Sequence, residues 1–220
     1  MGTLPAWLPS STNVYDWRDQ LLKVLSKYKG LIVLGEAGQG KTTQLPQSLH
    51  EAGYTKDGRK IGCTQAQCVA AISVEGRVAD EIGVSIGDAL GYATQFQDCT
   101  SPKTAILYMT NRMLLQEFMT KPALAHYPAM IICEAHKRTL SPDFLQGLVR
   151  DIACFQPDFW LLISHATMKP PKFSEYFNDA PIFNMPGRRY PVNILHTPNP
   201  EANYLHTTVM TVFSYVSVPS

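Results

Sequence analysis

The sequence has little excess charge, no long apolar segment and no recognisable targeting segment. Its formal net charge is +1 over 220 residues, whereas nucleic-acid-binding domains usually show a clear basic excess. No apolar run approaches the ~20 residues that a membrane-spanning helix requires. The first residues lack both the basic and the apolar regions of a secretory signal. These absences predict a protein without a membrane anchor or a secretory signal.

The cysteines also lack the spacing of a metal site. They form no C-x-x-C pair, and no histidine-rich stretch lies near them. We therefore interpret them as the reduced thiols of a cytosolic or nuclear protein. The five residues are Cys63, Cys68, Cys99, Cys133 and Cys154.

The apolar content is high enough for one large core, since 45% of the residues are hydrophobic. Near the N-terminus, the segment Trp17–Tyr28 places Trp17, Leu21, Leu22 and Leu25 on one face of an amphipathic helix. Residues 1–28 are thus predicted to be a loose leader followed by a helix.

Short apolar runs then alternate with helical stretches, which predicts an α/β fold with a doubly wound, mostly parallel sheet flanked by helices. Ligands of such sheets bind at the carboxyl ends of the strands. A linker is predicted at Pro198-Asn199-Pro200, so the main domain should cover residues 29–197. The predicted strands are Leu31–Leu34, Lys60–Thr64, Thr104–Tyr108, Ala129–Cys133, Trp160–Ser164, Ile182–Met185 and Pro191–Leu195.

A phosphate-binding motif follows the first apolar run. Residues Gly35–Thr42 read G-E-A-G-Q-G-K-T, which matches G-x-x-x-x-G-K-[ST] between a predicted strand and a predicted helix. In this motif, backbone N–H groups and the helix N-terminus bind phosphate, the lysine reaches the β and γ phosphates, and the hydroxyl coordinates Mg²⁺. A chance glycine-rich turn is the alternative. The predicted nucleotide-binding residues are Gly35, Glu36, Ala37, Gly38, Gln39, Gly40, Lys41, Thr42 and Thr43, with Thr42 also a Mg²⁺ ligand.

From about Val14 onwards, a series of ordered sequence stretches is diagnostic. They are G-E-A-G-Q-G-K-T-T-Q, H-E-A-G-Y-T, K-I-G-C-T-Q, V-A-A-I-S-V, E-A-H-K-R-T-L, K-F-S-E-Y-F, D-A-P-I-F and P-G-R-R-Y-P-V. Through them the chain resembles the first RecA-like domain of the DEAH-box RNA helicases, and the spliceosomal members in particular. The resemblance implies a RecA-like P-loop NTPase that binds ATP and Mg²⁺, contacts RNA and splicing factors, remodels RNA during pre-mRNA splicing, and works in the nucleus.

The catalytic motif departs from the family pattern, because D-E-A-H reads C-E-A-H here. Cys133 stands in place of the aspartate that holds Mg²⁺, and a neutral thiol is a poor ligand for this hard ion. By resemblance, Glu134 is the base that orients the attacking water and could serve as a metal ligand instead. His136 is the residue that links the nucleotide state to the RNA state, although a surface histidine is the alternative.

The coupling and RNA-binding motifs are altered as well. The family's S-A-T reads His165-Ala166-Thr167, and Ser164 lies on the opposite face of its strand. By resemblance the RNA-facing residues are Thr64, Gln65, Thr110 and Arg112. The segment after Gln65 lacks both family arginines, and two glutamines, Gln95 and Gln116, replace two more. Losing four contacts of ~1 kcal/mol each would weaken RNA binding by several decades.

The resemblance also bears on residues 198–220, which are interpreted as a linker and the start of a truncated second RecA-like domain. Glu201–Val216 resembles the helix that opens that domain, which in the family supplies an arginine finger. Such a finger contributes roughly 10³–10⁵ in rate.

The sequence-based interpretation is therefore an ATP-binding helicase domain with impaired hydrolysis. Three alternatives stay open at this point. The chain could be a working helicase completed in trans by a partner lobe. It could be a non-enzymatic interaction protein that acts as a decoy for splicing-helicase partners. It could also be the poorly folded product of a decaying gene copy.

Overall fold

The computed structural model describes residues 14–36, 39–85, 87–133, 140–166, 174–185 and 203–216. The chain divides into two units, residues 1–188 and 189–220. Several sequence predictions lie outside the described residues, and the structure does not test them. They include the strand Pro191–Leu195, the linker at 198–200, and the site residues Ala37, Gly38, Glu134 and His136.

The first unit is built on one sheet of eight strands in the order β4-β3-β5-β2-β6-β7-β1-β8. Every strand pair is parallel except β3 with β4. The strands are β1 (Gly30–Leu34), β2 (Ile61–Gln65), β3 (Leu90–Ala93), β4 (Asp98–Cys99), β5 (Ile106–Thr110), β6 (Ala129–Ile132), β7 (Trp160–His165) and β8 (Ile182–Asn184). This confirms an α/β fold with a mostly parallel sheet.

Helices cover both faces of the sheet. They are α1 (Val14–Leu25), α2 (Lys41–Glu51), α3 (Cys68–Ile82), α4 (Asn111–Thr120) and α5 (Leu140–Phe155). In β1, Leu31 and Val33 pack into one core with α1, α2 and α3, whereas Ile32 packs into a second core with α4 and α5. Successive side chains of a strand point to opposite faces, so burial of the whole run requires a helical layer on each side.

The N-terminal helix forms as predicted, with bounds shifted towards the N-terminus. Trp17, Leu21 and Leu25 are buried, and Leu22 is partly buried against the same core. The indole of Trp17 lies 6.3 Å from the ring of Phe183 in β8. This helix therefore packs within the first unit, while the domain boundaries predicted at residues 28 and 197 stay predictions.

Six of the seven predicted strands are present within a few residues of their predicted bounds, and the seventh, Pro191–Leu195, lies outside the described residues. The sequence did not predict β3 and β4. β3 and β4 form a short antiparallel hairpin at one edge of the sheet. The apolar run of β3 is interrupted by Gly91, where a Cβ atom would lie only 2.6 Å from the carbonyl oxygen of Cys99. The glycine permits this close approach of the two backbones, and it also removes the continuous apolar pattern from which a strand is predicted.

In the second unit the described residues are 203–216, and they contain helix α6 (Tyr204–Val216). The hydroxyls of Thr208 and Thr211 donate to carbonyls four residues earlier. The large apolar side chains of the helix are exposed, namely Tyr204, Leu205, Val209, Met210, Val212 and Phe213. Among the described residues, no helix has both the length and the apolar character needed to cross a membrane.

One carboxyl group lies inside the core. Glu75 of α3 is fully buried, and neither of its oxygens has a hydrogen-bond partner among the described residues. Burial raises the pKa of Glu75 because it disfavours the charged form. The folded protein therefore holds this proton to a higher pH than the unfolded chain does, and stability is lost as the pH rises through that window.

We expect Glu75→Gln to stabilise the protein at pH 7 by about 1–3 kcal/mol, because the amide carries no charge that must be desolvated. The gain over wild type should grow as the pH rises above about 4.3, the ordinary carboxyl pKa. Urea unfolding between pH 4.5 and 8 measures this difference. Asp80→Asn on the exposed side of the same helix is the control, and an equal pH dependence in both variants would contradict the assignment.

Candidate functional site

The sheet has a topological switch point between β1 and β7. β1 leads through α2 to β2 on one side, whereas the adjacent β7 leads to β8 on the other side of β1. Open α/β sheets bind ligands outside the carboxyl ends of the strands at such a point. The loop that contains the predicted phosphate-binding motif begins there, at the end of β1.

Glycines shape the described parts of the loop. The N–H of Gly35 donates to the carbonyl of His165 at 3.1 Å, which anchors the loop to the end of β7. A Cβ atom at Gly35 would overlap the side chain of Gln39 and lie 3.2 Å from the Cβ of Met185. Gly40 has φ +75°, a left-handed conformation that residues with a Cβ adopt only with strain. The backbone therefore requires glycine at position 40, whereas a side chain at position 35 would displace the flexible side chain of Gln39 and press on Met185.

Helix α2 begins directly at Lys41 and has no acidic residue in its first turn. Its N-cap is Gly40, which offers no side chain to accept a hydrogen bond from the first N–H groups. The first N–H groups of a helix have no partner within the helix, and together they carry a partial positive charge. This end of α2 therefore favours an anionic ligand.

The side chain of Lys41 folds back over the loop. It is 8% exposed, and its ammonium donates to the carbonyls of Gly35 and Glu36, both at 2.5 Å. A buried cation at the start of a helix adds full positive charge to the partial charge of the helix end. Lysine suits this role because its ammonium can exchange backbone carbonyls for phosphate oxygens by rotation of a flexible stem.

The two threonines that follow Lys41 make different contacts. The hydroxyl of Thr43 donates to the carbonyl of Gly40 at 3.2 Å and closes the turn. The carbonyl of Thr42 accepts a hydrogen bond from the hydroxyl of Tyr108 at 3.0 Å, which ties the start of α2 to β5. Tyr108 is fully buried, and burial raises its pKa well above the usual range, so the phenol stays a neutral donor.

Cys133, at the end of β6, faces another thiol. Its Sγ lies 3.5 Å from the Sγ of Cys63 in β2, and both side chains are buried. Burial raises the pKa of Cys63 well above its usual value, and the neighbouring Cys133 raises it further. Two sulfur atoms therefore lie side by side at the end of β6, a donor set that does not fit Mg²⁺.

The predicted RNA-facing residues gather at the carboxyl ends of β2 and β5. Gln65 is in register with Thr110, and Thr110 caps α4 by accepting from the N–H of Met113 at 3.4 Å. Arg112 is exposed. Three buried polar atoms here have no partner among the described residues, namely Thr64 Oγ1, Gln65 Nε2 and Asn111 Oδ1. Such atoms are costly unless a ligand or water satisfies them.

Sequence reasoning missed the thiol pair, Tyr108 and Glu75. The cysteines are 70 residues apart, and only the pairing of β2 with β6 brings them together. Only a weak indication of this contact was present in the sequence, namely that both cysteines lie in predicted strands. The chain matches no model of a known protein family.

We expect Tyr108→Phe to lower the free energy of unfolding by about 1 kcal/mol, because the Thr42 carbonyl loses its buried donor. The matched control is Tyr92→Phe, whose hydroxyl makes a 3.4 Å contact with Gln97 at the surface and should change stability by less than about 0.5 kcal/mol. Urea unfolding of both variants at pH 7 measures the difference. Equal losses would show that the Tyr108–Thr42 hydrogen bond does not support the start of α2.

Proposed function

We propose that this chain is a RecA-like P-loop domain that binds ATP and is related to the DEAH-box RNA helicases. The observation that carries the proposal is Lys41, a buried cation at the first position of α2. It directly follows the left-handed Gly40 in the loop that leaves β1 at the switch point. The same class of ligand, a polyphosphate, is favoured by the backbone N–H groups of the loop, by the dipole of α2 and by the ammonium of Lys41.

The strand order supports a RecA-like arrangement. β7 lies between β1, which carries the phosphate-binding loop, and β6, which leads to Cys133 and the C-E-A-H stretch. The carboxyl ends of all three strands therefore lie side by side at one edge of the sheet. A nucleotide whose phosphates occupy the loop would place its terminal phosphate towards the ends of β7 and β6, where the family carries its hydrolytic residues.

In this proposal the chain binds ATP and hydrolyses it poorly. The loop from Gly35 to Thr43 holds the phosphates, and the Thr42 hydroxyl is an oxygen ligand for Mg²⁺. Glu134 either keeps its family role as the base towards water or becomes a second oxygen ligand for Mg²⁺ and is then lost as the base. His136 keeps its role as the link to RNA. Without a carboxylate at position 133 the metal is held weakly, so the negative charge that develops during phosphoryl transfer is poorly neutralised.

RNA contact is proposed for the cluster at the ends of β2 and β5. The unpartnered polar atoms of Thr64, Gln65 and Asn111 could hydrogen-bond to a sugar–phosphate backbone. Hydrogen bonds from neutral groups position an RNA strand, but they do not release counter-ions as contacts from arginine do. We therefore expect RNA binding at these neutral side chains to be weak and to depend little on salt. A role in splicing and a nuclear location belong to the proposal by resemblance.

The alternative function is a non-enzymatic interaction protein that binds the partners of splicing helicases. Helix α6 favours it, because six of its large apolar side chains are at least half exposed, from 50% for Val209 to 72% for Tyr204. Exposed apolar clusters of this kind mark contact surfaces. The two functions differ in whether nucleotide is required, so a nucleotide titration separates them.

Titration with a fluorescent ATP analogue tests the proposal. We expect micromolar binding by wild type and a loss of at least about tenfold in Lys41→Ala, because the ammonium is the main full charge offered to the phosphates. Lys29→Ala, at the amino end of β1, is the control and should bind as wild type does. Repeating the titration in EDTA should change the affinity little, since Cys133 does not hold Mg²⁺. Absence of binding would leave the interaction-protein function.

Cys133→Asp should restore a dependence on metal. A carboxylate at this position supplies the oxygen ligand that the thiol lacks, so nucleotide binding should strengthen by about tenfold in Mg²⁺ and not in EDTA. Cys133→Ser, which removes the thiol without adding charge, is the matched control. If the aspartate variant binds nucleotide equally in Mg²⁺ and EDTA, our explanation of Cys133 is wrong.

A further inference from the structure

A cavity of about 400 Å³ lies beside the amino end of β1, between the sheet, helix α5 and the segment that leads into β8. Its volume is within the range of small-molecule binding sites. The phosphate-binding motif follows the other end of the same strand. The five residues of β1, at about 3.3 Å each, separate the two places by ~16 Å. The cavity is therefore distinct from the proposed nucleotide site.

The inner wall of the cavity is apolar. Leu161 and Ile163 of β7 and Ala153 of α5 line it, and all three pack in the core on the α5 face of the sheet. Gly30 lines it as well and contributes no side chain. A Cβ atom at Gly30 would make only an ordinary 3.6 Å contact with the Cβ of Ala180. The apolar part of a ligand therefore has both space and apolar neighbours here.

The outer wall is held against α5 by two hydrogen bonds. The amide of Asn178 donates to the Sγ of Cys154 at 3.0 Å, and Nη1 of Arg150 donates to the carbonyl of Tyr176 at 3.4 Å. Asn178 and Asp179 have φ values of +55° and +56°, a left-handed conformation in which asparagine and aspartate are enriched. Such conformations persist where the surroundings fix them, and they are frequent at binding sites. This wall is thus formed without a ligand.

Two cations line the cavity. The ammonium of Lys29 lies 3.6 Å from the centre of the Trp160 ring and has no carboxylate partner among the described residues. Within the same part of the chain, Arg150 uses three of its five N–H donors, two on Asp151 and one on a backbone carbonyl. Among the described residues of the lining, Asp179 is the one carboxylate, so two cations and one carboxylate give a net charge of +1. This lining favours an organic anion over a cation.

We propose that this cavity binds a small organic anion, a carboxylate with an apolar body. The body packs against the inner wall, where contact with apolar side chains removes its surface from water. The carboxylate lies at the rim, where Lys29 and Arg150 supply positive charge and hydrogen-bond donors. Nucleotide binding at the other end of β1 is not required for this site.

Protection of Cys154 from alkylation tests the proposal on the full wild-type chain, because this exposed thiol lines the cavity. Octanoate is the probe, and mass spectrometry of peptides follows the reaction of each cysteine with iodoacetamide. We expect octanoate to slow alkylation of Cys154 in a saturable manner, with a Kd of about 1 mM or below. Octanamide, which has the same body without the charge, should bind about tenfold more weakly. Cys99, at the opposite edge of the sheet, is the internal control and should react at an unchanged rate.

Substitutions locate the bound probe. Gly30→Leu places a side chain in the cavity and should abolish the protection. Lys29→Gln should weaken octanoate binding by about threefold, as expected for a charge at the rim. Lys27→Gln, which changes an exposed lysine outside the lining, is the matched control and should bind as wild type does. Lys41→Ala should also bind octanoate as wild type does, because Lys41 belongs to the other end of β1.

Three results would each overturn the proposal. They are the absence of saturable protection in wild type, equal protection by octanoate and octanamide, and undiminished protection in a folded Gly30→Leu variant. Loss of protection in Lys41→Ala would also overturn it, because the probe would then occupy the phosphate-binding motif. If Gly30→Leu does not fold, the comparison of octanoate with octanamide on wild type decides. ATP binding is measured separately, so failure of either proposal leaves the other intact.

Discussion

Burial of the parallel strands on both faces is the constraint on which the other features depend. A strand buried on both sides is apolar throughout, so polar chemistry is confined to the positions where the strands end. In this chain the ends of β1, β6 and β7 meet at one edge, with those of β2 and β5 beside them. The glycines, the lysine, the thiols and the unpartnered amides are concentrated at that edge for the same reason.

Three ionisable side chains beneath this edge share one electrostatic property. Cys63, Glu75 and Tyr108 all have raised pKa values, and in each the largest cause is burial. Burial therefore favours the protonated, neutral form of each group. The described part of the loop above offers the Lys41 ammonium and the partial positive charge of the α2 N-terminus. This arrangement favours an anion.

The sequence was most informative where structure is locally determined. Continuous apolar runs identified six strands, because such runs follow from the conformations of neighbouring residues. The glycine–lysine spacing indicated a connection from a strand to a helix, and its role in phosphate binding stays a prediction. The β3–β4 hairpin was missed because Gly91 interrupts its pattern and β4 has only two residues. The contacts of Cys63 with Cys133 and of Tyr108 with Thr42 were missed because they depend on strand order and register, which single-sequence patterns do not determine.

The same hairpin has a consequence for self-association. The outer edge of a sheet exposes unpaired backbone groups that can template the addition of a strand from another molecule. Here that edge is formed by β4, which offers two residues, is antiparallel to its neighbour, and carries the charged Asp98. The mostly parallel, apolar sheet thus ends on this side in a strand that is too short and too polar to pair with a strand of another molecule. On this side, the fold itself opposes edge-to-edge aggregation.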